Sequence, residues 1–188
     1  DFSRQTVALK GVRVCPFCPG NELRTPPEIL AYRTRGAANE PGWTLRVISN
    51  KFPVLRVEGQ VNRRAEGVYD KMNGVGAHEV LIETPDHMQT FSDVPVKRVE
   101  DLFWAYRERV LDLRRDTRLR YVLLFKNFGE AAGSAIEHSH PQLIALPVAP
   151  KAIEEEMDGA RRHFEFRERC VYCDIVAQEL DAGSRIAI

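Results

Sequence analysis

The sequence predicts an α+β fold, one long packed helix on several strands, and three observations predict it. Val99, Leu102, Phe103, Tyr106, Val110 and Leu113 recur at three- and four-residue steps, which marks a helix over residues 96–115 with one buried stripe. Short alternating or apolar runs read as strands: WTLRVIS, HEVLIE, RYVLLFK and QLIAL. Clusters of Gly, Pro, Asn and Asp separate these runs and read as turns.

Taken in order, Val7, Leu9, Val12 and Val14 suggest an extended lead-in, and residues 21–27 and 36–42 are turn chemistry. Residues 43–49 form the first clear strand, which 52–57 continue after a turn. The glycine-bearing polar stretch 59–76 reads as a mobile loop. Residues 78–83 are a strand ended by Thr84-Pro85-Asp86, and the long helix follows. A buried strand at 120–126 and a second at 142–146 flank the loop 127–139, and a polar helix over 151–168 leads to Cys170.

Composition bounds the function. The chain has 188 residues, 44% of them hydrophobic, enough for a core. Acidic and basic residues number 27 each, so no global field favours nucleic acid or an acidic membrane. No apolar run reaches the roughly 18–20 residues of a membrane span. No signal peptide is visible, and because the chain starts at Asp1 the natural N-terminus is expected to lie upstream.

The four cysteines form two Cys-x-x-Cys pairs, Cys15/Cys18 and Cys170/Cys173. A core-rich chain needs no disulfide framework, so reduced, metal-binding thiolates in the cytoplasm are the expectation. The turn Cys15-Pro16-Phe17-Cys18 has the form of a zinc knuckle, because that spacing brings two sulfurs to one tetrahedral ion. A redox dithiol is the alternative, although no thioredoxin-like pattern surrounds the pair. Two further ligands must come from elsewhere, with His78, His87, His138 and His140 as candidates; His163 reads as a surface residue. The second pair has too few spare histidines to complete a site within these residues. Its spacing, aromatic third residue and nearby acid repeat those of the first pair, as in a duplicated fold whose second copy begins near Arg169.

His138-Ser139-His140-Pro141-Gln142 carries the most chemical information. In extended chain, residues two apart face one way, so His138, His140 and Gln142 are expected to project together. A neutral imidazole can attack phosphorus and hold the transferred group as a phosphoramidate, while a glutamine donates to the phosphoryl oxygen. Gly129 to Ala135 supply small residues whose backbone N–H groups can approach phosphate. Spacing alone equally allows both histidines to be metal ligands.

CPFCPGNE, RVISNKFPVL, HEVLIETPDH, FKNFGEAAGSAIEHSHPQLIALPVAP and CVYCD together resemble the galactose-1-phosphate uridylyltransferase family of the histidine-triad superfamily. The resemblance implies a histidine-triad-like antiparallel sheet with a packed helix, the first half of a duplicated fold. It implies an N-terminal domain over 1–168 and the start of a second, similar domain over 169–188. It implies structural zinc on Cys15, Cys18, His87 and His138, His140 as nucleophile and Gln142 as its phosphoryl partner. Asn127 would contact substrate phosphate, Asn50 and Phe52 would line the nucleoside pocket, and Ser134 stands beside Ala135, where the family places a phosphate-binding serine. His78 is left as an ordinary strand residue.

The expected activity is transfer of a nucleoside monophosphate between sugar 1-phosphates, with UDP-glucose and a hexose 1-phosphate as partners, in galactose metabolism. A homodimer is implied by the family alone. Lys51 stands where an acidic residue often follows the asparagine in UDP-sugar enzymes, and His-Ser-His with Ala-Leu-Pro resembles the branch that includes the plant ADP-glucose phosphorylase. Phosphorolysis of an ADP-sugar or dinucleoside polyphosphate is therefore the alternative, and a non-catalytic zinc-stabilised nucleotide-sugar-binding module the rival from another class. Hydrolysis is disfavoured by glutamine where a third histidine would stand.

Overall fold

Why these residues make a sheet is clearest at its centre. The computed structural model describes residues 14–186 and divides between Pro147 and Val148 into two compact units. In the first unit β1 (Glu28–Arg33), β2 (Trp43–Ser49), β5 (Ala77–Ile82), β6 (Tyr121–Phe125) and β7 (Gln142–Leu146) form an antiparallel sheet in the order β1-β2-β5-β7-β6. All six residues of β5 are buried, and so are the first six of β2. Sheet strands buried on both faces tolerate near-continuous apolar runs, and the side-chain period of two divides each run between two cores.

One core joins Leu45, Val47, Ala77, Leu81, Leu143 and Ala145 to Leu102 and Ala105 of α1 (Val96–Leu113). Within it Arg109 makes a two-pronged ion pair with Glu79, Nε to Oε2 at 2.8 Å and Nη2 to Oε1 at 2.7 Å. The other core gathers Trp43, Ile48, Val80 and Ile82 around Phe17. Odd positions of β5 thus face the helix, and His78, Val80 and Ile82 face the opposite side.

The described residues correct several expectations. β1 was not foreseen; it lies between two turn-rich stretches and bulges twice against β2. Residues 52–57 make only the isolated bridge Arg56 to Val75. The expected loop 59–76 contains a hairpin of β3 (Arg64–Glu66) and β4 (Tyr69–Lys71), exposed throughout and hence without a hydrophobic signature. β6 is a sheet edge, with Leu123 and Leu124 exposed rather than buried. Phe103 leaves the helix stripe for solvent, while Ala105 and Arg109 take its place against the sheet. The expected lead-in over residues 1–13 lies outside the described residues.

The second unit contains α2 (Lys151–Arg167), ended by Glu168 in the left-handed region at φ 56°, and α3 (Val171–Ala182), capped by Cys170. Tyr172 donates to Glu156 between the two helices. No described helix is long and apolar enough to cross a membrane.

Candidate active site and metal centre

The candidate metal centre begins with a tight turn. Cys18 N–H donates to the Cys15 carbonyl, and Asn21 Nδ2 donates to the same oxygen at 3.0 Å. Gly20, at φ 89°, takes a conformation open to glycine, and its N–H donates to Glu22 Oε2. The indole of buried Trp43 donates to Glu22 Oε1 at 2.8 Å, so the turn is fastened to β2. His87 comes from the loop after β5, where Thr84 and Asp86 side chains accept the N–H groups of Asp86 and Met88.

Cys15, Cys18, His87 and His138 present ligand atoms that all lie within 4.8 Å of one another. His87 Nδ1 is 3.4 Å from Cys18 Sγ; His138 Nδ1 is 3.6 Å from Cys18 Sγ and 3.7 Å from Cys15 Sγ. A tetrahedral zinc with ordinary bond lengths places sulfur and nitrogen about 3.6 Å apart, so the four groups fit such an ion. The ring of His138 is fully buried, and its Nε2–H donates to the Thr84 carbonyl at 2.7 Å. That bond fixes the tautomer with the Nδ1 lone pair toward the cysteines. Burial, with Cys15 and Asp86 nearby, pushes the Cys18 thiol up to about 11, a cost to the thiolate that a bound cation offsets. Cys170 and Cys173 are not part of this cluster.

His140 uses its other side. Its Nδ1–H donates to the His138 carbonyl at 2.7 Å, which leaves Nε2 with a free lone pair. Burial holds the imidazole below the usual histidine value, so the neutral, nucleophilic form prevails near neutral pH. The ring of Phe17 stands edge-on to His140, with centroids 5.1 Å apart at 68°. Between the two histidines, buried Ser139 donates to Glu83 Oε1, which also accepts from Lys126 Nζ. Glu83 Oε2 has no partner among the described residues.

His138, His140 and Gln142 do not form one row. Residues 137–141 are irregular, and β7 begins only at Gln142. His138 serves the cysteines, His140 folds back on the preceding carbonyl, and Gln142 meets His78 and Asn50. Asn50 Oδ1 accepts the Phe52 N–H at 2.9 Å, while the Phe52 ring is largely exposed. Asn127 is half-buried just beyond β6. Ser134 spends its hydroxyl on the Ile136 carbonyl, inside a loop that contains a short 3-10 turn. Phe17 and Glu83 carry no role in the sequence reading, and His78, read there as an ordinary strand residue, faces Gln142.

A sheet with a helix on one face and a Cys2His2 cluster beside His140 and Gln142 on the other is the fold of the uridylyltransferase-like proteins, with a TM-score of 0.73 to a solved uridylyltransferase at 27% identity. Residues 12–150 match the galactose-1-phosphate uridyl transferase N-terminal domain, and the chain belongs to that family. It is 35% identical to ADP-glucose phosphorylase of Arabidopsis thaliana over 85% of this chain and 45% of the relative. It is 28% identical to galactose-1-phosphate uridylyltransferase of Thermotoga maritima over 88% of this chain and 48% of the relative. The solved ADP-glucose phosphorylase from Arabidopsis thaliana, with bound ADP-glucose, superposes at a TM-score of 0.74 with 34% identity. That match covers 88% of this chain and 50% of the solved one. The chain thus spans about half the length of these relatives.

Proposed function

We propose that this chain carries the nucleophile of a two-step nucleotidyl transfer, with His140 Nε2 as the attacking atom. The supporting observation is the Nδ1–H bond to the His138 carbonyl, which fixes the tautomer that leaves Nε2 free. The Nε2 lone pair forms a bond to the α-phosphorus of a nucleotide-sugar. The bond to the bridging oxygen breaks, and the sugar 1-phosphate leaves with that electron pair. The imidazolium so formed keeps its Nδ1–H on the His138 carbonyl, whose dipole stabilises the positive ring. An oxygen of the acceptor phosphate then attacks phosphorus and returns the electron pair to Nε2. Gln142, with Asn127, donates to phosphoryl oxygens as charge develops there. Asn50 and Phe52 border the nucleoside, and Ser134 shapes the phosphate loop.

Zinc would be held by Cys15, Cys18, His87 and His138; with all four ligands supplied by the protein, it would hold His138, and through it the carbonyl that orients His140, rather than act on substrate. Cytoplasmic location, a homodimer and a second, similar domain from about Arg169 complete the proposal.

In its first form the donor is UDP-glucose and the acceptor a hexose 1-phosphate. The second form, phosphorolysis of an ADP-sugar, is supported by the 35% identity to the plant phosphorylase against 28% to the bacterial transferase, and by Lys51 in the nucleoside segment. Acceptor competition separates them. Galactose 1-phosphate discharges a uridylylated protein in the first form, and inorganic phosphate discharges an adenylylated one in the second. Transfer that survives intact in His140→Ala rejects both.

A further inference from the structure

His78 has no place in the chemistry above, yet it is 8% exposed, lies in β5 and has both ring nitrogens engaged. The backbone N–H of Val54 donates to His78 Nδ1 at 3.2 Å. A backbone N–H can only donate, so Nδ1 carries a lone pair and the proton of the neutral ring sits on Nε2. That proton points at Gln142 Oε1, 2.8 Å away. Asn50 is oriented independently, because its Oδ1 accepts the Phe52 N–H; its Nδ2 donates to the same Gln142 Oε1 at 3.4 Å. The Asn50 Nδ2 also lies 3.0 Å from His78 Nε2, a contact between two donors that both aim at one acceptor.

Gln142 therefore cannot turn its amide round. With Nε2 in place of Oε1, three donors would face one another with no acceptor among them. A free glutamine amide has two nearly equivalent orientations, and only one of them presents an N–H to substrate. We propose that His78 is a positioning residue: through its Nε2–H it locks the Gln142 carboxamide so that the amide nitrogen faces the transferred phosphoryl group. The proposal rests on the phosphoryl contact assigned above to Gln142. The chain of constraint is 64 residues long in sequence and one strand wide in space, since β5 pairs with β7 through Val80 and Gln142.

The test is the rate of covalent nucleotidylation in the zinc-loaded full-length protein, with ADP-glucose and UDP-glucose as donors. Four variants are compared: His78→Phe, His78→Gln, Gln142→Ala and the double variant His78→Phe/Gln142→Ala. Phenylalanine keeps the ring shape without the proton, and the rate is expected to fall on the order of 10-fold to 100-fold. Glutamine at position 78 restores an N–H near the same point and recovers most of the loss. On the Gln142→Ala background His78→Phe costs nothing further, because the group it orients is gone.

Effects of His78→Phe and Gln142→Ala that multiply, or a His78→Phe protein as fast as the parent while Gln142→Ala is slow, overturn the proposal. A Gln142→Ala protein as fast as the parent instead removes the phosphoryl contact beneath it, and the proposal falls with that contact. Nitrogen-15 shifts of the His78 ring in the unmutated protein give a check that needs no variant to fold. A protonated Nε2 with a bare Nδ1 is the expected tautomer, and the reverse overturns the lock.

Discussion

Phe17 and His140 stand edge to face, with ring centroids 5.1 Å apart, although one belongs to the cysteine turn and the other to the loop before β7. Phe17 is 6% exposed and packs with Trp43, Ile48, Val80 and Ile82. The cysteine turn therefore reaches the proposed nucleophile through a packed ring as well as through His138. Replacing Phe17 by leucine keeps the site apolar but withdraws the ring edge. The expected result is a roughly ten-fold slower nucleotidylation, with stability lower by about 1 kcal/mol and metal content unchanged. A rate equal to the parent's shows that the ring merely fills space.

Removing a metal ligand is expected to act more broadly. Cys18→Ser should lose one metal ion per chain relative to the parent, measured by elemental analysis, together with thermal stability and transfer. His140→Ala should lose transfer and keep the metal, because Nε2 of His140 is not among the ligand atoms. Equal metal loss in both variants contradicts the division of labour between His138 and His140.

Glu79 and Arg109 form the charged centre of the helix-facing core, with side chains only 4% and 9% exposed. Burial alone disfavours both charges; the paired geometry and the further bond from Arg109 to Asp112 offset it. Glu79→Ala strands the guanidinium and is expected to destabilise the domain by about 3–5 kcal/mol. The double replacement by apolar residues of similar size should recover most of that loss, as read from denaturation midpoints.

How much of this was legible in the sequence depended on whether the signal was local. β2, α1 and β7 declared themselves through apolar spacing and α2 as a polar helical stretch, and their ends lie within a few residues of those expected. The Cys15/Cys18 turn was readable because two cysteines separated by two residues have few other uses. By contrast β1 draws its place from pairing with β2, and the β3–β4 hairpin buries nothing that periodicity could register. His87 and His138 joined the cysteines only by resemblance, since ligands 69 and 120 residues distant from Cys18 leave no trace in spacing. His78 shows the limit most plainly. A single histidine in a strand has no signature, and its meaning lies in Val54, Asn50 and Gln142, which only the folded sheet assembles.

Every step proposed for this site passes through a covalent bond between His140 and the nucleotide. Intact mass measurement of the full-length protein, after separate incubation with UDP-glucose and ADP-glucose, tests it most directly. A gain of one nucleoside monophosphate from one of the two donors is expected, labile to acid and absent from His140→Ala. A folded, metal-loaded protein that gains no mass from either donor, or gains it equally in His140→Ala, has no nucleotidylated His140 in its reaction.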